Sequence, residues 1–536
     1  LCGSSANWHQ FAGNVRDFRI YNTALDVYEI EGIYRQYENE FNNVYYFDAT
    51  NGNDNYAGTS PATAWQSLNK FNSITFQPLD KILFKAGGVW SGNITLHGNG
   101  RSGEPIVIDA YGDVSDEDDK PRINAGGNGT PLTISEVENW EINNLQITNL
   151  GETTASWRKA ISIYADDCGK MNHIYLKDLY IHSVNGALEF GSGGIVMGIN
   201  EGSGTLSHYN DVIIEGCHFK TVDSTAILGG AGMRTDQTGP RGSHIRIRGN
   251  YFEDIGGAAA CPIGSDGMIL EGNVVNGAMK RAASCALWPW AADNTIFQYN
   301  EVYNCDDRGD GEAYDCDYQC DGTIFQYNYS HDNPGGFMRI CNGDPSVNYN
   351  RNSIVRYNIS INDGGSDDAL IELWKKLENC RVYNNILYIP AAKGTMNFVM
   401  SNEYGGGSGG TNYWYNNIWY AVSGATGRFA VGDGSTNTWS DNCFYGTMKV
   451  GTVRWFFDYY WSYSNGTPSD SNKITSNPLL VNPGEHGVGS TLTGYQIQSG
   501  SPCLNAGFNV SGNGGLDYWG NKVPYGTTDI GAHERQ

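Results

Sequence analysis

Residues 295–302 read TIFQYNEV and residues 323–330 read TIFQYNYS, so one eight-residue phrase returns almost unchanged further along the chain. Its pattern is apolar-x-apolar-x-x-Asn-x-apolar. From Asn250 onward an Asn recurs at the sixth position every 23 to 32 residues. A period of this length, built from strand-like phrases, is typical of a solenoid. The related phrases are WEINNLQI (140–147), IYLKDLYI (174–181), VIIEGCHF (212–219), IRIRGNYF (245–252), MILEGNVV (268–275), SIVRYNIS (353–360), CRVYNNIL (380–387) and NYWYNNIW (412–419).

The spacing and the strand alternation together predict the architecture. Alternating apolar residues within each phrase, with Gly and Asn between phrases, exclude helical repeats. The chain also lacks the Leu scaffold of a leucine-rich repeat. An Asn at each bend can satisfy backbone groups and stack on the Asn of the next coil. We therefore predict an all-β protein, a right-handed parallel β-helix with three short strands in each coil.

The two ends of the chain differ from the repeats between them. Residues 1–42 resemble the closing strand and short helix of a laminin-G or concanavalin-like jelly roll. Residues 43–536 are predicted to form the β-helix, with an N-terminal cap and first coils over 43–130 and a C-terminal cap over 470–536. Caps are expected because open solenoid ends expose strand edges that aggregate. The N-terminal capping helix would contain Trp65, Leu68 and Phe71.

Charge and composition narrow the classes of partner. The chain has 58 acidic and 34 basic residues and a net charge of −24, which disfavours nucleic acid and anionic lipid. No run of 18 apolar residues predicts a membrane span. The 12 cysteines are scattered without zinc-site spacing, so we expect most to be small core residues. No signal peptide begins at Leu1, and an extracellular or cell-surface location of bacterial type is expected from the function alone.

One segment is unusually acidic. Residues 306–321 read DDRGDGEAYDCDYQCD, which places seven acidic residues beside the single base Arg308. Crowded carboxylates cost electrostatic free energy unless protons, cations or a substrate relieve it. The segment is therefore a candidate active site, or else an acidic turn that holds a metal or faces water.

Stacking of the coils predicts which side chains share a surface with this acidic segment. Alternation turns Tyr314 and Cys316 inward, and it turns Asp315 and Asp317 outward. Aromatic faces pack on the apolar face of a pyranose, while carboxylates and Arg bind hydroxyls, so the mixture suits a sugar. His331 with Asp332 is predicted to bind hydroxyls beside the acids or to satisfy a turn. The other predicted substrate-binding residues on this surface are Arg339, Glu372, Trp374, Trp288 and Trp290.

Paired carboxyl groups suggest glycoside hydrolysis, which needs one protonated and one ionised carboxyl group. Crowding raises the pKa of one acid and leaves its neighbour charged. Asp317 is the expected member of the pair on the strand. Its partner is Asp310 in the Gly-flanked loop or Asp315 two residues before it.

The motif DGEAYDCD (310–317) on a β-helix resembles glycoside hydrolase family 136, the lacto-N-biosidases. The segment YYFDATNGNDNYAGTSPATAWQSLNKF (45–71) is similar to the first part of pectate-lyase-like β-helix enzymes. The resemblance implies a retaining mechanism with Asp310 as acid/base and Asp317 as nucleophile, and lacto-N-tetraose cleaved to lacto-N-biose and lactose. It implies no required cofactor and a dedicated folding helper for some members.

Two other classes of function remain open from the sequence. A polysaccharide lyase on the same fold would use Arg339 or Lys375 as base, with the acids as Ca²⁺ ligands. A non-catalytic carbohydrate-binding β-helix would keep the tryptophans but would not need acids concentrated on one coil.

Overall fold

The computed structural model describes residues 41–200, 204–229, 239–343, 348–365, 368–402, 410–431, 436–452 and 462–536. Residues 41–536 form one compact unit. The jelly-roll prediction for residues 1–42 falls almost entirely outside the described residues and stays a prediction.

The repeated phrases stack as neighbouring strands of one long parallel sheet. Phe297 pairs with Phe325, and Phe325 pairs with Val355, so equivalent positions of successive phrases lie side by side. Each coil then adds a strand to a second sheet and, in most coils, to a third face. This arrangement confirms the predicted parallel β-helix.

The strands of each sheet follow one another in coil order. The first sheet holds Asn43–Phe47, Asp80–Lys85, Ile106–Tyr111, Trp140–Asn143, Lys170–Lys177, His208–Glu215, Ser243–Arg248, Ile269–Glu271, Ile296–Gln298, Ile324–Gln326, Ile354–Arg356, Cys380–Tyr383, Thr411–Tyr415 and Thr436–Ser440. The second sheet holds Val89–Ser91, Arg122–Asn124, Gln146–Asn149, Tyr180–Val184, His218–Val222, Tyr251–Ile255, Val274–Asn276, Glu301–Tyr303, Tyr329–His331, Ile359–Ile361, Ile386–Ile389, Ile418–Ala421 and Cys443–Tyr445.

The third face consists of two separate sheets. Its six-stranded part holds Ile94–Thr95, Leu132–Ser135, Lys159–Asp166, Gly193–Asn200, Thr225–Leu228 and Ala260–Cys261. Its seven-stranded part holds Tyr314–Cys316, Met338–Cys341, Ala369–Trp374, Thr395–Asn402, Thr426–Ala430, Thr447–Thr452 and Ser462–Asn465. Cys320–Asp321 pairs with Asn350–Arg351 as a two-stranded sheet.

The coil between the two parts of the third face has no strand there. Leu287 forms single bridges to Ala260 on one side and Tyr314 on the other. Pro289 has no N–H to donate to a ladder, which accounts for the irregular backbone. The face is therefore interrupted at Trp288 and Trp290, directly before the acidic segment.

The sixth-position Asn side chains form a ladder inside the bend between the first two sheets. Asn300 Nδ2 donates to Asn328 Oδ1 at 3.0 Å and to the Leu270 carbonyl at 3.0 Å. The Asn300 backbone N–H also donates to Asn328 Oδ1. The same pattern runs from Asn250 to Asn442, which binds Asp470. The ladder satisfies buried backbone groups in each coil from Asn250 to Asn442, as the Asn spacing predicted.

Both ends are covered, with differences from the expected details. The N-terminal helix is short, Leu68–Asn72, and Trp65 lies before it instead of within it. Leu68, Phe71 and Trp65 are nevertheless all buried in the main core. The other helical turns are Pro61–Thr63, Glu117–Asp119, Ala391–Lys393 and Thr493–Tyr495.

The C-terminal segment covers the flank of the solenoid as well as its last coil. Asp470 bridges to Trp439 in the last coil. The following residues then return along the side, where Asn384 Nδ2 donates to the carbonyls of Asp529 and Gly531. Within the described residues no helix has the length and apolar character that crossing a membrane requires. Most of the described cysteines are buried, as expected for core residues.

Candidate active site

The predicted outward residues form two columns across neighbouring coils of the third face. Tyr314 and Cys316 lie in the core, as alternation predicted. In the first column Asp315 pairs with Arg339, which pairs with Glu372. In the second column Cys341 pairs with Trp374. Asp317 follows the strand Tyr314–Cys316 and contacts Cys341.

A cavity of about 290 Å³ opens between these columns. Six of the predicted site residues line it, and the acidic loop and the strand both contribute carboxylates. The lining residues are Cys285, Trp288, Asp310, Asp315, Asp317, Tyr318, Arg339, Cys341, Asn342, Gly343, Trp374 and Lys375.

Arg339 is the centre of the charged network below the cavity. Arg339 is only 4% exposed, and its guanidinium carbon lies 4.5 Å from the centre of the Trp374 ring. Its Nη2 is 2.7 Å from Glu312 Oε1 and 3.0 Å from Glu372 Oε2, and its Nη1 pairs with Asp310. Burial lowers the pKa of Arg339, but these carboxylates outweigh burial and raise it. Arg339 is therefore permanently charged and holds the acidic loop against the strand.

Asp317 is fixed by two donors. Its Oδ1 accepts the Tyr318 backbone N–H at 2.8 Å and the Cys341 thiol at 2.9 Å. Burial raises the pKa of Asp317 to about 6, although these hydrogen bonds lower it. The carboxyl group thus changes charge near neutral pH, within reach of the cavity.

Asp315 lies deeper than Asp317. It is almost fully buried, and its Oδ1 has no hydrogen-bond partner among the described residues. Burial, followed by the charge of Asp317, raises the pKa of Asp315 well above its usual value. A protonated Asp315 beside Asp317 relieves the repulsion between the two acids.

The same residues fit a calcium ion poorly. One ligand atom each from Asp315, Asp317 and Cys341 lie within 4.8 Å of one another. Calcium takes six to eight oxygen ligands, whereas this group offers two carboxylates and a thiol. The Ca²⁺ alternative gains no support from this group.

Asp310 approaches the cavity from the loop before the strand. Gly309 and Gly311, on either side of it, have φ of +71° and +84°, which glycine adopts without strain. The Asp310 side chain is 54% exposed and pairs with Arg339. The loop therefore brings a solvent-accessible carboxylate to the cavity that Asp317 also lines.

Some predicted surface residues are in fact buried supports. Glu372 faces outward from the core, but Arg339 and Trp374 cover it, and its Oε2 accepts from both. Trp288 lines the cavity. Trp290 does not, and contacts the lining residue Tyr318 with ring centres 5.4 Å apart.

His331 is not part of this site, which corrects the prediction. It lies in the second sheet, on the strand Tyr329–His331, whereas the acids belong to the third face. Its ring nitrogens contact Asp332 at 2.7 Å and Glu301 at 3.2 Å. The prediction failed because closeness to the acids along the chain was taken for closeness on the solenoid.

Among the contributors that were not singled out from the sequence are Cys341, Glu312 and Tyr318. Cys341 stands two residues after Arg339, so the same alternation could have identified it. Glu312 belongs to the acidic segment, but its full burial against Arg339 depends on how the loop folds. Tyr318 carried no signal beyond its closeness to Asp317.

Comparison with known proteins finds a similar glycosidase sequence. Lacto-N-biosidase from Bifidobacterium longum subsp. longum is 27% identical over 91% of this chain. The match covers 36% of that protein, so the chain spans about a third of the length of this curated relative. No protein-family model matches the chain.

Solved structures share the fold. The GH136 lacto-N-biosidase from Eubacterium ramulus superimposes with a TM-score of 0.56 at 23% identity, covering 67% of each chain. XylC in complex with xylose gives a TM-score of 0.53 at 11% identity, covering 92% of this chain and 98% of that one. The resemblance found in the sequence is thus confirmed as a similarity of sequence and of fold.

Proposed function

We propose that this protein is a retaining glycoside hydrolase that releases lacto-N-biose from lacto-N-tetraose. The observation that carries the proposal is the pair Asp310 and Asp317 at one cavity, approached from a loop and from a strand end. The similarity to the Bifidobacterium longum lacto-N-biosidase supports both the reaction class and the sugar.

The two carboxyl groups take different roles in the proposed reaction. Asp317 is the nucleophile: its Oδ1 is held by two donors, and Oδ2 bonds to the anomeric carbon as the glycosidic bond breaks. Asp310 donates a proton to the departing sugar oxygen. Asp310 then removes a proton from water, which attacks the anomeric carbon and releases the disaccharide with its configuration retained.

The walls of the cavity suit a sugar. Trp288 and Trp374 provide aromatic surface, and Asp315 and Asn342 provide polar groups in the lining. Asn342 Oδ1 and Asp315 Oδ1 are both buried without a hydrogen-bond partner among the described residues. Sugar hydroxyls would satisfy them, which favours binding.

Two observations count against the lyase alternative with Arg339 as its base, whereas the other predicted base, Lys375, does line the cavity. A lyase base must give up its proton, whereas the carboxylates around Arg339 raise its pKa. The group of Asp315, Asp317 and Cys341 is also a poor calcium site, as described above. An extracellular location and a folding helper are further parts of the proposal, and they rest on the resemblance alone.

Replacement of the nucleophile tests the proposal directly. We expect Asp317→Asn to reduce hydrolysis of lacto-N-tetraose by about 10⁴-fold or more, because no covalent intermediate can form. Product identification and the anomeric configuration of fresh product, by NMR, provide the measurement. Thermal unfolding and sugar binding should stay close to wild type.

Asp321→Asn is the matched control, because Asp321 belongs to the same acidic segment but pairs with Arg351 at 2.7 Å at the surface. This variant should keep its activity. Near-normal turnover by Asp317→Asn, or product of inverted configuration from wild type, would contradict the mechanism.

A further inference from the structure

Aromatic side chains continue from the cavity across the coils on its N-terminal side. Tyr318 lines the cavity and contacts Trp290, whose ring centre lies 6.4 Å from that of Phe190. Gly191, next to Phe190, lies against the ring of Trp157. We call Trp157, Phe190, Trp290 and Tyr318 the aromatic strip.

The outer end of the aromatic strip is held in place although it is exposed. The Trp157 backbone N–H donates to Glu189 Oε1 at 2.9 Å. A Cβ at Gly191 would lie 2.4 Å from the Trp157 ring, so the ring packs directly on the backbone there. Trp157 is nevertheless 67% exposed and Phe190 is 49% exposed. Large rings that are fixed in place and open to water mark a binding surface more often than a core.

The floor beneath the aromatic strip is apolar. Val196, Leu228, Cys261 and Ile263 pack together there, with Trp290 against them. The indole Nε1 of Trp290 is buried and has no hydrogen-bond partner among the described residues. This buried apolar layer supports the half-buried Trp290 ring, and an aromatic face of this kind packs on the C–H face of a sugar.

The cavity alone is small for an oligosaccharide. Its volume of about 290 Å³ is at the lower end of ligand pockets, which span about 300 to 1,000 Å³. The ring centres of Tyr318, Trp290 and Phe190 follow one another at 5.4 Å and 6.4 Å, and Trp157 lies beyond Phe190 across Gly191. The aromatic strip therefore extends beyond a single ring contact, and it is continuous with the cavity through Tyr318.

We propose that the aromatic strip binds the sugar units beyond the cleaved bond, so that the preferred substrates are oligosaccharides longer than a tetrasaccharide. This inference rests on the proposed function, because the cavity must hold the released disaccharide. The rings would stack on the C–H faces of successive sugars.

The test compares two substrates that share the non-reducing disaccharide lacto-N-biose: lacto-N-tetraose and a hexasaccharide extended at the reducing side. Wild type should have the higher kcat/KM for the hexasaccharide. The double variant Trp157→Ala/Phe190→Ala should lose about tenfold in kcat/KM for the hexasaccharide and stay within about twofold for the tetrasaccharide, because only the longer sugar stacks on both rings. The matched control is Tyr299→Ala, since Tyr299 is 50% exposed and stacks on Tyr327 away from the third face.

The outcomes separate the two proposals. Equal losses on both substrates, or no loss on either, would overturn the role of the aromatic strip and leave the proposed function standing. If wild type hydrolyses neither sugar, the proposed function is wrong. Calorimetric titration with the hexasaccharide then tests whether the aromatic strip binds sugar. The role of the aromatic strip is supported if Asp317→Asn binds the hexasaccharide and the triple variant, which also carries Trp157→Ala and Phe190→Ala, does not. The role is overturned if Asp317→Asn does not bind the hexasaccharide.

Discussion

At the scale of single residues, Arg339 links the acids that the proposed reaction uses to those that only support it. Glu312 is completely buried and Glu372 nearly so, and both contact this one guanidinium. Buried carboxylates without a counter-charge are costly, because water no longer solvates them. The network thus makes the position of Asp310 depend on a residue in the next coil.

We expect Arg339→Met to destabilise the protein by about 3 to 5 kcal/mol, since Glu312 and Glu372 would remain buried without their partner. Urea unfolding followed by fluorescence measures the change. Arg351→Met is the matched control: the pair of Arg351 with Asp321 is largely exposed, so its loss should cost about 1 kcal/mol or less. Equal losses for the two variants would contradict the supporting role of Arg339.

The pH dependence of activity reports on Asp317. Burial raises the pKa of Asp317 to about 6, so the folded protein keeps this proton until the pH rises past that value. A nucleophile must be ionised, and kcat/KM for lacto-N-tetraose should therefore increase as the pH rises through about 6. Initial rates between pH 4 and about 8 provide the measurement. A decrease through the same range would show that Asp317 donates the proton and that the two roles are exchanged.

At the scale of elements, the Asn ladder and the strand alternation were both predictable. The phrase has its apolar residues two apart and its Asn at a bend, and these two features determine which side chains point inward. The same rule placed Asp315 outward correctly. It could not show that Glu372 is covered, because that depends on the large ring of Trp374 lying over Arg339.

A break in the ladder should be costly. Asn328 Nδ2 donates to the Phe297 carbonyl at 2.9 Å, and its Oδ1 accepts the Asn300 backbone N–H at 3.0 Å. Asn328→Ala removes both hydrogen bonds and leaves the buried Asn300 backbone N–H without this acceptor, so we expect a loss of about 3 kcal/mol in the free energy of unfolding. Asn276→Ala is the control, because its partner Tyr251 is a part-buried side-chain hydroxyl outside the ladder. A loss for Asn328→Ala no larger than for Asn276→Ala would contradict the structural role of the ladder.

At the scale of the whole molecule, the contacts that the sequence could not predict join distant segments. Tyr327 donates to the Leu516 carbonyl and Arg356 donates to the Gly512 carbonyl, so the C-terminal segment covers coils far from it in the chain. No periodicity encodes such contacts. His331 was misplaced for a different reason: it follows the repeated phrase and pairs with Tyr303 of the preceding coil, so the period predicts its place in the second sheet, but its closeness to the acids along the chain was followed instead.

The interruption of the third face at Leu287 has a consequence for altering this protein. Strands on either side stack at a fixed interval of about 4.8 Å, so side chains in one column are separated by multiples of this distance. A carboxylate that is moved from one strand of a column to the next shifts by a whole strand spacing, which is too large a step for adjusting a reaction centre. The irregular coil of Trp288 and Trp290 carries no strand on this face. Substitutions in this coil can therefore change the positions of side chains at the cavity by less than one strand spacing, while the strands on both sides keep their pairing.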